Sequence, residues 1–198
     1  MPDTALAAVL LGAGAGSRFT GNSHKLLADL GGEPLYRHAL RHAVDADIGP
    51  VVLVTGAVAL PVPAEFAGRV TTVHNPSWHE GQSTSLRIGI AAARRLGATA
   101  VVVGLADQPG VSPESWRRLA ASDAGLAVAT YGDRRGHPVR IGAPHWDELP
   151  DRGDIGARDL LSVHSDDVER IPCPGTATDI DTAEDLATWL RRSPTNSP

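Results

Sequence analysis

The chain has 198 residues, 42% of them hydrophobic, and a formal net charge of −5. That size allows one domain with a full hydrophobic core, and interspersed charges without a basic block argue against nucleic-acid binding. No stretch of about 18 apolar residues marks a membrane span, and the lone cysteine, Cys173, excludes an intrachain disulfide or a multi-cysteine zinc site, so the chain reads as a soluble cytoplasmic protein.

Short apolar runs lie at 6–11, 51–55, 70–74, 100–106 and 126–131. Without polar alternation, such runs suit strands buried on both faces. Helical periodicity separates them at about Pro34–Ala46, Ser83–Leu96 and Ser112–Ser122. Pro34 and Pro113 suit first helical positions, and Ser112 suits an N-cap. The stretch "TYGDRRGHPVRI" places turn residues between two strand-like pieces, which predicts a hairpin and one antiparallel strand. Helices are expected to begin near "GDIGARDLL" and "DIDTAEDLATWL". The alternation implies an α/β sandwich with a mostly parallel sheet. Ligands of such sheets bind outside the carboxyl ends of the strands. One domain is expected over 1–191, and the polar tail 192–198 is expected to be disordered.

That rule directs attention to "LLGAGAGSRFTGNSHKLL", residues 10–27. A Walker A loop needs a glycine and a lysine where the chain has Ser17 and Arg18. A dinucleotide fingerprint needs a third glycine at Ser17 and a carboxylate closing the second strand, which ends at Thr55-Gly56. Both templates fail. Glycines after a buried strand still let backbone N–H groups approach an anion, and Arg18 and Lys25 could add charge for a triphosphate. The plain alternative is a tight strand exit with two solvated cations.

The opening "LGAGAGSRF…HKLLADLGGEPLYRHAL" resembles the signature of the molybdenum-cofactor nucleotidyltransferases, within the MobA-like NTP transferase family. Further along, "GLADQPGVS" (104–112), "DIDTAEDL" (179–186), "EGQSTSLRIGI" (80–90), "GDRRGHPVRI" and "RGDIGARDLL" resemble that family's elements, in family order from Ala7 to Leu186. The resemblance implies a three-layer, Rossmann-like fold of the GT-A type. It implies a nucleotide cradle of Leu11, Gly12, Ala13, Gly14, Gly16 and Ser17, with Gly81, Ser83 and Ser85 at the base and ribose. Arg18 and Lys25 would neutralise phosphates. Asp107 and Asp181, with Asp179 as an alternate, would hold Mg²⁺. His137, Asp154 and Arg158 would line the side of a phosphorylated pterin acceptor.

Each element also has an ordinary explanation. Residues 107–110 have the composition of a β-turn. Asp181 or Thr182 suits a helix N-cap, with Glu184 or Asp185 completing a capping box. Ser83 or Ser85 suits an N-cap as well. Two departures stand out: Ala106 replaces a glycine, which adds a methyl near the nucleotide, and Ala183 replaces a proline. The loop from Phe19 to Lys25 is also longer than the family's, so Arg18 is better placed by sequence than Lys25. His38 and His42 lack a third metal ligand and read as satisfied histidines. The tryptophans read as packing residues, with Trp78 able to border the site.

By resemblance the chain is a Mg²⁺-dependent nucleotidyltransferase that moves CMP from CTP to the phosphate of molybdopterin cofactor. Ala13 favours the MocA-like cytidylyl branch over the guanylyl branch, with GTP as the second choice of nucleotide. The same motifs would also suit a different phosphorylated acceptor, such as a deazaflavin precursor or sugar phosphate, or a non-catalytic protein that hands the cofactor on. A molybdoenzyme or its maturation chaperone is an expected partner. A dinucleotide-binding oxidoreductase fits least, because its fingerprint fails.

Overall fold

The computed structural model describes residues 5–20 and 23–192. A seven-stranded sheet has the order β3-β2-β1-β4-β6-β5-β7. Its strands are β1 (Leu6–Gly12), β2 (Val51–Thr55), β3 (Val70–His74), β4 (Ala100–Leu105), β5 (Leu126–Tyr131), β6 (Arg134–Gly142) and β7 (Glu169–Pro172). The pairings β1–β2, β1–β4, β2–β3 and β5–β7 are parallel, and β6 runs antiparallel to both β4 and β5. The expected hairpin is therefore present, and it supplies the antiparallel strand.

Helices α1 (Leu35–Asp45), α2 (Gln82–Arg95), α3 (Pro113–Ala120), α4 (Arg158–Val163) and α5 (Ala183–Arg192) cover the sheet. Strand alternation sorts them into two layers. Ala8 and Leu10 of β1 face a core with Leu35, Leu40, Trp116 and Leu119 of α1 and α3, and α5 packs at its margin through Leu186 and Trp189. Ala7 and Val9 face the opposite core, with Leu86 and Ile90 of α2 and Leu160 of α4. Burial on both faces explains why β1, β2 and β4 read as unbroken apolar runs.

The run 70–74 departs from that expectation. Among the described residues it pairs, as β3, only with β2, and Thr71, Thr72 and His74 are exposed. It is an edge strand, where threonine and histidine can face water. Strand β7 forms the other edge and is mostly exposed, with no apolar run to announce it.

The helix starts follow capping chemistry. Ser112 caps α3 by accepting from the Ser115 N–H, and Pro113 opens that helix. Pro34 sits one position earlier than expected, at the N-cap of α1. Gly81 caps α2, so neither Ser83 nor Ser85 does. Among the described residues, no helix is long and apolar enough to cross a membrane. The expected tail falls on residues 193–198, outside the described residues, and Arg192 ends α5.

Candidate active site

Strand β1 has β2 on one side and β4 on the other. The crevice where the chain reverses its direction of strand addition opens at the carboxyl ends of β1 and β4. A cavity of about 640 Å³ lies there, within the range of small-molecule sites. Leu11 to Arg18 line one wall, and Lys25, Leu105, Asp107 and Asp181 lie around it.

The glycine loop is shaped by close approach. A Cβ on Gly12 would stand 2.7 Å from Leu60 Cδ1 and 3.2 Å from Ala106 Cβ. A Cβ on Gly14 would meet nothing, since that position faces open space. Gly16 takes φ +62°, where a side chain would also press on Lys25. His24 then fastens the loop. Its Nδ1 accepts from the Leu26 N–H at 3.2 Å, which leaves Nε2–H to donate to the Gly14 carbonyl at 2.9 Å. Sequence reading misses His24. It sits in a loop motif where the eye falls on the neighbouring lysine.

Lys25 is the centre of the site. Its ammonium donates to Asp107 Oδ2 at 2.6 Å and to Asp181 Oδ1 at 2.8 Å. Burial lowers the affinity of the lysine for its proton, but the two carboxylates outweigh burial and raise its pKa above 10.5. Lys25 is therefore a fixed cation. Arg18 reaches Asp181 Oδ2 at 2.8 Å with its side chain 76% exposed, against 11% for Lys25. By exposure Lys25 is embedded in the floor, and Arg18 stands at the mouth. Gly21 and Asn22, within the loop joining them, lie outside the described residues.

Two stitched segments hold the carboxylates. The Ile180 N–H donates to the Asp107 carbonyl at 3.0 Å. Gln108 Nε2 donates to Asp179 Oδ1 at 2.7 Å and to the Ala177 carbonyl at 3.2 Å. Asp179 thus answers Gln108 rather than the cavity. Burial first, then the Asp107 charge, pushes its carboxyl up. Thr182 takes over the capping of α5, as its Oγ1 accepts from the Asp185 N–H while Asp185 Oδ2 accepts from the Thr182 N–H. Asp181 is thereby free to face Lys25. Asp107 sits in a turn, as its composition suggests, and its Oδ1 is buried without a partner among the described residues.

The remaining expected site residues divide. Ser85 lines the cavity and accepts from Asn75 Nδ2 at 2.8 Å. Asp154 lines it too, from the loop before α4. Gly81, Ser83, His137 and Arg158 do not. Gly81, at φ +109°, lies against the Gly153 backbone, and the Ser83 N–H donates to the Gly153 carbonyl at 2.9 Å. That contact fixes the loop that brings Asp154 in. His137 Nδ1–H donates to the Val103 carbonyl at 3.2 Å, and burial lowers its pKa. The Ala106 methyl is buried against Gly12 in the core, not beside the cavity. Trp78 borders the cavity, joined by Gln82 from the start of the 80–90 motif and by His79, which lies outside the motifs. His38 and His42 are satisfied by the Leu30 and Val111 carbonyls.

The family described as the MobA-like NTP transferase domain matches residues 8–168. The structure superposes on a nucleotidyl transferase from Methanothermobacter thermautotroptrophicus with a TM-score of 0.79 at 24% identity, covering 96% of this chain and 97% of that one. Rv0371c from Mycobacterium tuberculosis is 26% identical with a TM-score of 0.78, covering 95% and 98%. A structure of that protein in complex with manganese gives 25% and 0.74, covering 96% and 100%. In sequence, the bifunctional protein GlmU of Anaeromyxobacter dehalogenans is 31% identical over 159 residues, 70% of this chain and 32% of the relative. A 3-deoxy-manno-octulosonate cytidylyltransferase of Methylorubrum populi is 40% identical over 57 residues, 29% of this chain and 23% of that protein. The chain spans about a third of the length of the GlmU relatives.

Proposed function

The chain belongs to the family of MobA-like NTP transferase domains, and from that premise we propose that it transfers CMP from CTP to the phosphate of a molybdopterin cofactor. The observation that carries the reading is Lys25, held between Asp107 and Asp181 beneath a glycine-rich loop. A glycine-rich backbone, cations and carboxylates line one cavity, which is the equipment for a metal-bound triphosphate.

In the reaction, an oxygen of the acceptor phosphate bonds to the α-phosphorus. The bond from that phosphorus to its bridging oxygen breaks, and pyrophosphate leaves. The acceptor is already anionic, so no general base is required. The work of the protein is positioning and charge neutralisation. Gly12 to Ser17 receive the nucleotide through the backbone, while Arg18 and Lys25 offset the β- and γ-phosphate charge. Asp107 and Asp181 suit a divalent cation, because both offer hard oxygen donors and Asp107 Oδ1 is buried without a partner among the described residues. When bound there, Mg²⁺ supplies Lewis-acid stabilisation of the phosphate oxygens. The manganese complex of Rv0371c supports a divalent ion.

The cytidylyl reading rests on Ala13, buried in the cavity wall, and on the matching stretch of a cytidylyltransferase. The pterin reading rests on the "GHPV" and "GD-GAR" resemblances, whose Asp154 reaches the cavity. The name of the same relative favours, as a second reading, a sugar-acid acceptor.

The test pairs Mg²⁺ with CTP or GTP and each acceptor and follows pyrophosphate. CTP with the pterin is expected to release it, and Asp107→Ala to abolish release. Transfer to a sugar acid alone would replace the acceptor, and transfer surviving Asp107→Ala would remove the metal assignment. With Mg²⁺, CTP at 100 times its Kd should add about 2.7 kcal/mol of stability. That corresponds to a rise in Tm of roughly 5–10 °C for a chain of this size.

A further inference from the structure

Far from this cavity, His145, Glu148 and His164 bring one ligand atom each within 4.8 Å of one another. His145 and Glu148 lie on the 3₁₀ turn Ala143–Glu148, which follows β6. His164 caps the carboxyl end of α4. Because β6 is antiparallel, its end at Gly142 lies beside Ala100, the start of β4. The cluster is therefore at the end of the sheet opposite the candidate active site. Its residues come from two elements that sequence motifs do not connect.

The three side chains already converge. His145 Nδ1 stands 2.9 Å from Glu148 Oε1, and His164 Nε2 stands 2.6 Å from Glu148 Oε2. The rings meet edge to face with centroids 4.9 Å apart. The surrounding fold holds them there. Trp146 is buried and donates to the Ile141 carbonyl at 3.1 Å, which anchors the turn. Leu160 and Leu161 anchor α4 in the core. Gly125 makes room for the imidazole, since a Cβ there would stand 2.9 Å from His145 Nε2.

We propose that His145, Glu148 and His164 form a binding site for a borderline transition-metal ion such as Zn²⁺. Two imidazoles and a carboxylate are a ligand set that zinc accepts, with a fourth position left for water. Tetrahedral ligands about 2.0 Å from the ion stand about 3.3 Å apart, so the N···O separations of 2.9 and 2.6 Å have to widen by about 0.4 to 0.7 Å when an ion enters. His145 Nδ1 and His164 Nε2 each coordinate in the tautomer whose proton sits on the other ring nitrogen. The set is unsuited to Mg²⁺, which prefers oxygen ligands, so this site and the aspartate pair select different ions. The bridge spans 16 positions between Glu148 and His164. Inside that span lie Gly153 and Asp154, so the ion would clip both ends of the segment that carries Asp154 to the cavity.

Co²⁺ absorption reads this site separately from the aspartates, because four-coordinate Co²⁺ with nitrogen ligands absorbs far more strongly than Co²⁺ held by oxygens alone. The full chain, freed of metal with EDTA and buffered near pH 7.5, is titrated with Co²⁺ and then with Zn²⁺. An intense visible band that Zn²⁺ displaces is expected. His164→Gln and Glu148→Gln should each weaken Zn²⁺ binding by more than about tenfold, at least the loss seen for outer-shell partners. Asp107→Asn should leave the band unchanged. The absence of an intense band, or a band that survives His164→Gln in a chain with unaltered circular dichroism, would overturn the proposal. If His164→Gln does not fold, Glu148→Gln gives the same reading.

Discussion

At the scale of single residues, the candidate site turns on one contested lysine. Its number in the sequence cannot say how deep it lies, because depth depends on a loop of variable length between Arg18 and Lys25. The structure embeds Lys25 and leaves Arg18 at the mouth. His24 is hard to see in the sequence for a related reason: its bond to Gly14 joins two positions of one loop, and no periodicity encodes it. Ala106 is easily misplaced because it lies one residue past β4, and only its N–H bond to the Leu11 carbonyl and the approach of its methyl to Gly12 show where it turns. Lys25→Met makes the electrostatics testable. It leaves Asp107 and Asp181 facing each other without their shared cation. Removing one partner of a largely buried pair costs about 3 kcal/mol, so Tm should fall by roughly 6–12 °C. Mg²⁺ should then restore more stability to the variant than to the parent, since no ammonium competes for the carboxylates. A thermal scan against Mg²⁺ concentration checks this; equal Mg²⁺ effects in both proteins would deny that the aspartates hold the ion. Transferase activity should drop at least a hundredfold, in keeping with the loss of a charge-stabilising donor.

Among elements, legibility follows burial. Strands β1, β2, β4 and β5 can be read from the sequence because their apolar content has one cause, cover on both faces. Strand β7 cannot: "ERIP" pairs with β5 at the sheet margin and exposes most of its side chains. Serines 83 and 85 look like caps from composition alone. The start of α2 instead uses Gly81, because the chain must pass the Gly153 backbone there. The start of α5 is readable, since the capping-box spacing is a local rule and Thr182 and Asp185 obey it. This box has a role beyond α5: it fixes the backbone of Asp181, whose N–H also donates to Asp185 Oδ2 at 3.2 Å. Thr182→Ala should therefore cost about 1 kcal/mol, a Tm decrease of roughly 2–4 °C, measured by calorimetry. Asp185→Ala should cost a similar amount. The double variant should cost clearly less than the sum of the two, because both act through one reciprocal pair. Additive losses would show that the two side chains work independently.

For the molecule as a whole, pH reports how its buried groups are distributed between the layers. His42 lies on α1, and His137 lies on β6 next to β4. Burial lowers the pKa of both, and each donates to a backbone carbonyl as a neutral imidazole. In the unfolded chain they take up a proton near pH 6.5; in the folded chain they resist doing so until the pH is lower. Between those limits the unfolded state binds more protons, so stability rises with pH. The stability these histidines confer is thus complete above pH 6.5 and is lost as pH falls from 6.5 toward their folded values. Each contributes a slope of at most about 1.4 kcal/mol per pH unit inside that window. The carboxyl groups of Glu148 and Asp185, held below their usual range by hydrogen bonds from His164 and Thr182 respectively, add losses only at more acid pH. Asp179 runs the other way, because its carboxyl is pushed up and its protonation favours the fold. The contribution of Lys25 is complete below its unfolded value of 10.5 and is lost only as pH rises from there through its higher folded value. Urea unfolding in EDTA should therefore show stability declining from pH 7 to pH 5, before the carboxylate losses begin. His42→Gln retains a donor for the Val111 carbonyl but cannot take up a proton, so its profile should be flatter by one histidine's share. An unchanged slope in a folded His42→Gln protein would mean that α1 is open enough for His42 to be protonated without unfolding.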